Sequence, residues 1–236
     1  MDRKDNQSPQ GETARILVEF LEVAITSIVF LKGVYPSGGK ERKGEVHSDI
    51  VLSIYTYLMN WVMVNLWMKG AFERRRYMNL VVQRARHPQL RDYIHSAVFG
   101  LLPFIQKGMV ERAAVIFFNT DGVPVERFVF KLAVNLSYGS KVEEADLEFS
   151  LRSFLIKLSV SESLTKVLPR DYRWEITAYF RSLPEASANK DVEQWIPTDT
   201  RQWEQPPLLT PIKSMSSEPL CVQLYIEHPS LSEPKP

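Results

Sequence analysis

The chain has 236 residues, 44% of them apolar, which is enough for one sizeable core, so it reads as a single globular unit with an insertion. Its 29 basic and 28 acidic residues leave a net charge of +1, which argues against a protein held on nucleic acid by global charge; one block of like charge, Arg74-Arg75-Arg76, stands out. The single cysteine, Cys221, excludes an intrachain disulfide and any cysteine-rich zinc pattern, and the chain reads as intracellular.

Residues 1–10 form a polar stretch, expected to be flexible, with no apolar core of the kind a secretory signal needs. From Glu12 to Leu31 the apolar residues Ile16, Leu17, Phe20, Leu21, Ala24, Ile25, Ile28 and Leu31 recur at the helical period. This predicts a long helix, apolar over much of its circumference and central in the core. Gly33 and Pro36 supply its stop.

Ile50 to Met68 is a run of 19 residues without a charge, long enough on length alone to span a membrane. A span there would separate two elements that must share a core, which weighs against a membrane anchor. A hairpin packed on the body is one alternative. Another is that residues 39–69 are a translated intron, because Gly39-Lys40 is what an in-frame splice donor would encode, and removing the segment restores a short loop. If the segment is present in the folded protein, its apolar surface needs a partner.

A second helix is predicted from Pro88 to Phe104, with Leu90, Ile94, Ala97, Val98 and Leu101 on one side and Pro103 ending it. The period then changes. Ala113 to Phe118, a turn at Asp121-Gly122, and Val125 to Val134 read as a β-hairpin. A third helix fits Val142 to Leu158, with Glu143, Glu144 and Asp146 at its positive end. Another strand is expected from Tyr172 to Arg181. Beyond Pro184 the chain turns polar and proline-rich, broken by Trp195, Trp203 and a final strand from Cys221 to Glu227. That composition predicts strands wrapped around a body, followed by a frayed tail at 229–236.

Catalytic signatures are missing from this pattern. There is no phosphate loop, dinucleotide fingerprint or His-Glu-x-x-His helix, and Ser214 to Ser217 lack a glycine elbow. His47, His87, His95 and His228 are scattered without ligand spacing, so no metal is expected. Cys221 reads as a small buried hydrophobe rather than a nucleophile. No enzymatic activity and no cofactor are expected.

Several blocks resemble the HORMA-domain family, and within it the accessory subunits of DNA polymerase zeta. They are ILVEFLEVAITSIVFLKGVYP (16–36), FERRRYMNLVVQRARHPQLRDYI (72–94), PVERFVF (124–130), LRSFLIKLSV (151–160), the isolated Trp195, and LTPIKSMSSEPLCVQLYIE (209–227). The resemblance implies an α+β fold over residues 11–228: three helices packed on an antiparallel sheet, with a C-terminal safety belt that closes over a partner peptide. It implies a non-catalytic adaptor in DNA-damage tolerance whose first partner is the polymerase's catalytic subunit, its proline-containing peptide flanked by Tyr93 and Trp195. It also implies a second surface at Leu209, Gln223 and Tyr225 for the translesion deoxycytidyl transferase, and an arginine, Arg152, that pairs with another HORMA subunit. The nucleus is the expected compartment, with the cytoplasm as a second. A cell-cycle or chromosome-axis HORMA adaptor is the alternative within the same fold, and a membrane-anchored protein the alternative outside it. Direct sequence-specific binding of nucleic acid is not expected.

Overall fold

The computed structural model describes residues 9–34, 51–53, 72–135, 144–161, 167–169, 171–181, 196–197, 203 and 206–229. Helix α1 (Pro9–Lys32) runs through the centre, with Leu17, Phe20, Leu21, Ala24, Ile25 and Ile28 fully buried, as the helical spacing predicts. Each leucine, isoleucine or phenylalanine among them contributes about 1.5–3 kcal/mol by leaving water. Gly33 ends the helix at φ +63°, its N–H bonded to the carbonyls of Val29 and Phe30, both at 3.2 Å. A side chain there would be strained by that φ and would meet Val167 at 3.1 Å.

The last turn of α1 departs from expectation. Leu31 is half-buried, and Lys32 takes the core position. Its ammonium pairs with the buried Glu126 carboxylate and lies 5.9 and 5.7 Å from the ring centres of Phe117 and Phe128. Burial holds the Lys32 pKa below the ordinary lysine range, with the Glu126 charge and hydrogen bond pulling the other way. The negative end of the helix dipole also favours a cation there.

The single helix expected over Pro88 to Phe104 is two: α2 (Pro88–Phe99) and the short α3 (Leu102–Gln106), separated at Gly100 and Leu101. Pro103 lies in the first turn of α3, where the missing N–H is not needed, so it starts a helix rather than ending one. Helix α4 (Glu144–Val160) completes the set and packs against α1.

The strands are β1 (Val51–Ser53), β2 (Phe72–Tyr77), β3 (Leu80–Ala85), β4 (Val110–Phe118), β5 (Pro124–Val134), β6 (Arg173–Phe180), β7 (Ile196–Pro197), β8 (Leu208–Ser217) and β9 (Leu220–His228). Seven form one antiparallel sheet in the order β7-β1-β6-β4-β5-β9-β8. Alternation along its strands divides its two faces. Ala113, Val115, Phe117, Phe128, Phe130, Trp174, Ile176, Val222, Leu224 and Ile226 join the helices in the main core. Ala114, Ile116, Phe118 and Val129 face the other way and pack with Tyr179 and Tyr225. The expected β4–β5 hairpin is present, its turn held by the Asn119 side chain, which accepts from the N–H groups of Asp121 at 3.1 Å and Val123 at 2.8 Å. Strands β2 and β3 form a separate hairpin laid on α1, which the residue pattern alone does not predict. Cys221 is half-buried on β9 rather than in the core.

Candidate partner-binding surfaces

Strand β6 forms the outer limit of the body of the sheet, and the topology beyond it matters most. From β6 the chain reaches β7, which is not paired with β6 but with β1, and β1 pairs with β6. The chain then travels from Pro197 at this edge to Leu208 at the opposite edge. Six strand spacings of about 4.8 Å are roughly 29 Å. The eleven residue steps available reach at most about 36–40 Å. The crossing therefore has little slack, and whatever pairs with β6 inside β7 is enclosed by chain.

Trp203 marks where the crossing runs. Its indole N–H donates to a Glu227 carboxylate oxygen at 3.1 Å, and the Arg127 guanidinium stacks 4.7 Å from its ring centre. Arg127 and Glu227 are themselves paired at 3.5 Å on neighbouring strands β5 and β9. A cation over an aromatic face plus a charge-assisted hydrogen bond is a pin of order 1–3 kcal/mol. Residue patterning could not nominate Trp203, because its partners lie far away in sequence.

Tyr93, on α2, reaches the same edge of β6. Its ring is buried edge-to-face against Trp174 at 5.4 Å, and its hydroxyl accepts the backbone N–H of Ile176 at 3.3 Å. An N–H given to Tyr93 is not directed at β4, so Ile176 turns its backbone groups outward, and by alternation so does Ala178. Tyr93 thus borders the path along β6. Trp195, expected to face it, lies outside the described residues, immediately before β7.

At the other edge, Leu209 of β8 and Gln223 and Tyr225 of β9 are brought together. Residues 222, 224 and 226 point into the core, so Gln223 and Tyr225 share the outer face, as strand alternation predicts. All three line one groove of about 660 Å³ with Lys131, Pro211 and Lys213. Leu209 is 60% exposed. Burial raises the Tyr225 pKa, and nearby Glu227 adds to this while Arg112 opposes it.

Arg152 stands apart from both sites, half-buried on α4. The exposed apolar residues Phe149, Ile156 and Val160 lie on the same side of the helix at spacings of seven and eleven. An arginine within an uncovered apolar stripe suits an interface more than a solvated face. Arg74, Arg75 and Arg76 are exposed on β2. Among the described residues, no group of three or more His, Cys, Asp or Glu could hold a metal, and no helix is long and apolar enough to cross a membrane. Most of the uncharged run at 50–68 lies outside them.

Comparison with known proteins agrees with this architecture. The chain is 60% identical over 235 residues to the DNA polymerase zeta processivity subunit of Arabidopsis thaliana, covering 99% of this chain and 94% of that protein. It is 29% identical to the mitotic spindle assembly checkpoint protein MAD2B of Danio rerio, covering 91% of this chain and 90% of that one, and 28% identical to the human protein at the same coverage. No family model matches. Among solved structures, a chain of the mitotic checkpoint complex superposes with a TM-score of 0.65 at 16% identity, covering 94% of this chain and 97% of that one. Caenorhabditis elegans HTP-2 bound to the HIM-3 closure motif superposes at 0.64 with 10% identity, over 98% and 99%.

Proposed function

The chain belongs to the HORMA-domain family of DNA polymerase zeta processivity subunits and their MAD2B relatives, and from that premise we propose that it clamps a peptide of the polymerase's catalytic subunit along the edge of β6. It is an accessory subunit and an adaptor, not a catalyst. The observation that carries the clamp is the enclosure: an outward-facing edge on β6, a crossing with little slack, and Trp203 pinning that crossing to β5 and β9. An added strand gains main-chain hydrogen bonds from Ala178 and its neighbours, and side-chain pockets supply the choice of sequence. Tyr93 and Trp195 would flank the peptide, broad aromatic faces being suited to its proline rings.

The groove at Leu209, Gln223 and Tyr225 would dock the translesion deoxycytidyl transferase, so that one small subunit joins two polymerases in DNA-damage tolerance in the nucleus. The α4 stripe around Arg152 would pair with a second HORMA subunit. The alternative of a cell-cycle or chromosome-axis adaptor has only a shared fold behind it, the likeness to HTP-2 bound to a closure motif. That likeness is at 10% identity and carries the fold alone, whereas 60% identity to a polymerase subunit favours the first reading.

The test is binding of a fluorescent peptide spanning the proline-containing motif of the catalytic subunit. Slow-dissociating binding that Trp195→Ala and Tyr93→Ala each weaken at least tenfold is expected, with Gln223→Ala and Tyr225→Ala leaving it unchanged. Absence of binding by both the full chain and a chain lacking 39–69 would sink the reading.

A further inference from the structure

We propose that the chain carries its own occupant of the clamp, the strand Val51–Ser53, which holds the β6 edge and must leave before a partner's strand can pair there. The inference rests on the clamp reading for what is excluded, but the strand's position is a separate claim.

Three observations place β1 in the partner's position rather than on an arbitrary edge. It is antiparallel to β6 in a defined register: Val51 opposite Tyr179, Leu52 opposite Ala178, Ser53 opposite Thr177. It has β7 on its other side, with Leu52 opposite Pro197 and Ser53 opposite Ile196, so it lies inside the enclosing segment. And the hydrogen-bonding directions agree on both sides. Because Ile176 gives its N–H to Tyr93, the outward backbone groups of β6 are those of Ile176 and Ala178. Leu52 then directs its N–H and C=O at Ala178, and Ser53 directs its own at Ile196 of β7. Pro197, which has no N–H, falls opposite Leu52 and is not asked for one. Tyr93 takes the next outward N–H just beyond the last β1 pair.

This gives residues 39–69 a role that length and composition do not suggest. A strand supplied from the same chain is present at high effective concentration, so a partner peptide binds only the fraction of molecules from which β1 has withdrawn. A chain without the segment is the unblocked form of the same clamp.

Two variants test this. Leu52→Pro removes the N–H aimed at Ala178 without touching the body of the fold, and should raise affinity for the fluorescent catalytic-subunit peptide at least tenfold, as should deletion of 39–69. Equal affinity in all three chains overturns the proposal while leaving the clamp reading intact. Separately, the backbone register sets Val51 directly opposite Tyr179, the placement that a disulfide across two antiparallel strands requires. In a Cys221→Ser background, Val51→Cys with Tyr179→Cys should cross-link under mild oxidation, block the peptide, and recover on reduction. Failure to cross-link, or a cross-linked chain that still binds, overturns the proposal. If no chain binds the peptide but the cross-link forms, the strand is where we place it and the clamp reading is what fails.

Discussion

Glu175 faces outward on β6, and burial pushes its carboxyl up to about 7, against the opposing pull of Arg173 and of the Thr177 hydroxyl at 3.4 Å. Its pKa in the folded chain therefore lies above the ordinary 4.5, and the sign follows: folding favours the protonated form, stability is intact below about pH 4.5, declines as pH rises toward 7, and stays lowered above it. Some solvent contact remains at this side chain, so the effect belongs at the low end, about 1–2 kcal/mol. Glu175→Gln should raise the urea midpoint at pH 8 and leave it unchanged at pH 4.5; a uniform shift at both would mean that packing, not charge, is responsible. Neither this carboxyl nor Lys32 was legible as a buried group from its neighbours in sequence. A period-3.6 pattern nominates Leu31, and the Lys32 position depends on Glu126, which is nearly a hundred residues away.

At the level of elements, legibility followed turn chemistry and apolar content. The β4–β5 hairpin announces itself through a continuous apolar run and Asp121-Gly122, whose glycine takes φ +75°. The β2–β3 hairpin is silent because Glu73 to Arg76 are all exposed and charged and its two turn residues are Met78 and Asn79. Both have positive φ, 47° and 57°, the mirror-type turn that matches strand twist but strains a methionine. Because Met78 also packs against the main core, the clean variant is Asn79→Gly, which should stabilise the chain by about 0.5–1 kcal/mol in urea unfolding; no gain would mean the hairpin is not part of the cooperative unit. Strand β8 was hidden by Pro211 and its serines, and β1 by an uncharged run whose length speaks for a span. The shared face of Gln223 and Tyr225 was legible from alternation along β9, whereas a binding role for it comes from the resemblance alone. The third member of that surface, Leu209, needs the β8–β9 register to join them.

For the whole molecule, the enclosure makes a kinetic statement that no single contact makes. A peptide that simply docks on an open edge associates at a rate proportional to its concentration, with constants of about 10⁵–10⁷ M⁻¹s⁻¹. A peptide that must enter between β6 and a segment with little slack waits for that segment to lift, so its observed rate should rise with concentration and then level off at the opening rate. The pin at Trp203 sets part of that opening barrier, because its ring and N–H are held by Arg127 and Glu227 and let go only when the crossing leaves β5 and β9. Trp203→Ala should therefore raise the plateau and the dissociation rate together, each by roughly tenfold for a pin of about 1.4 kcal/mol, while the equilibrium affinity changes far less. Stopped-flow mixing with labelled peptide measures both. A strictly linear concentration dependence, or a Trp203→Ala variant that changes dissociation alone, would mean that the peptide is held by its contacts and that the chain around it closes nothing.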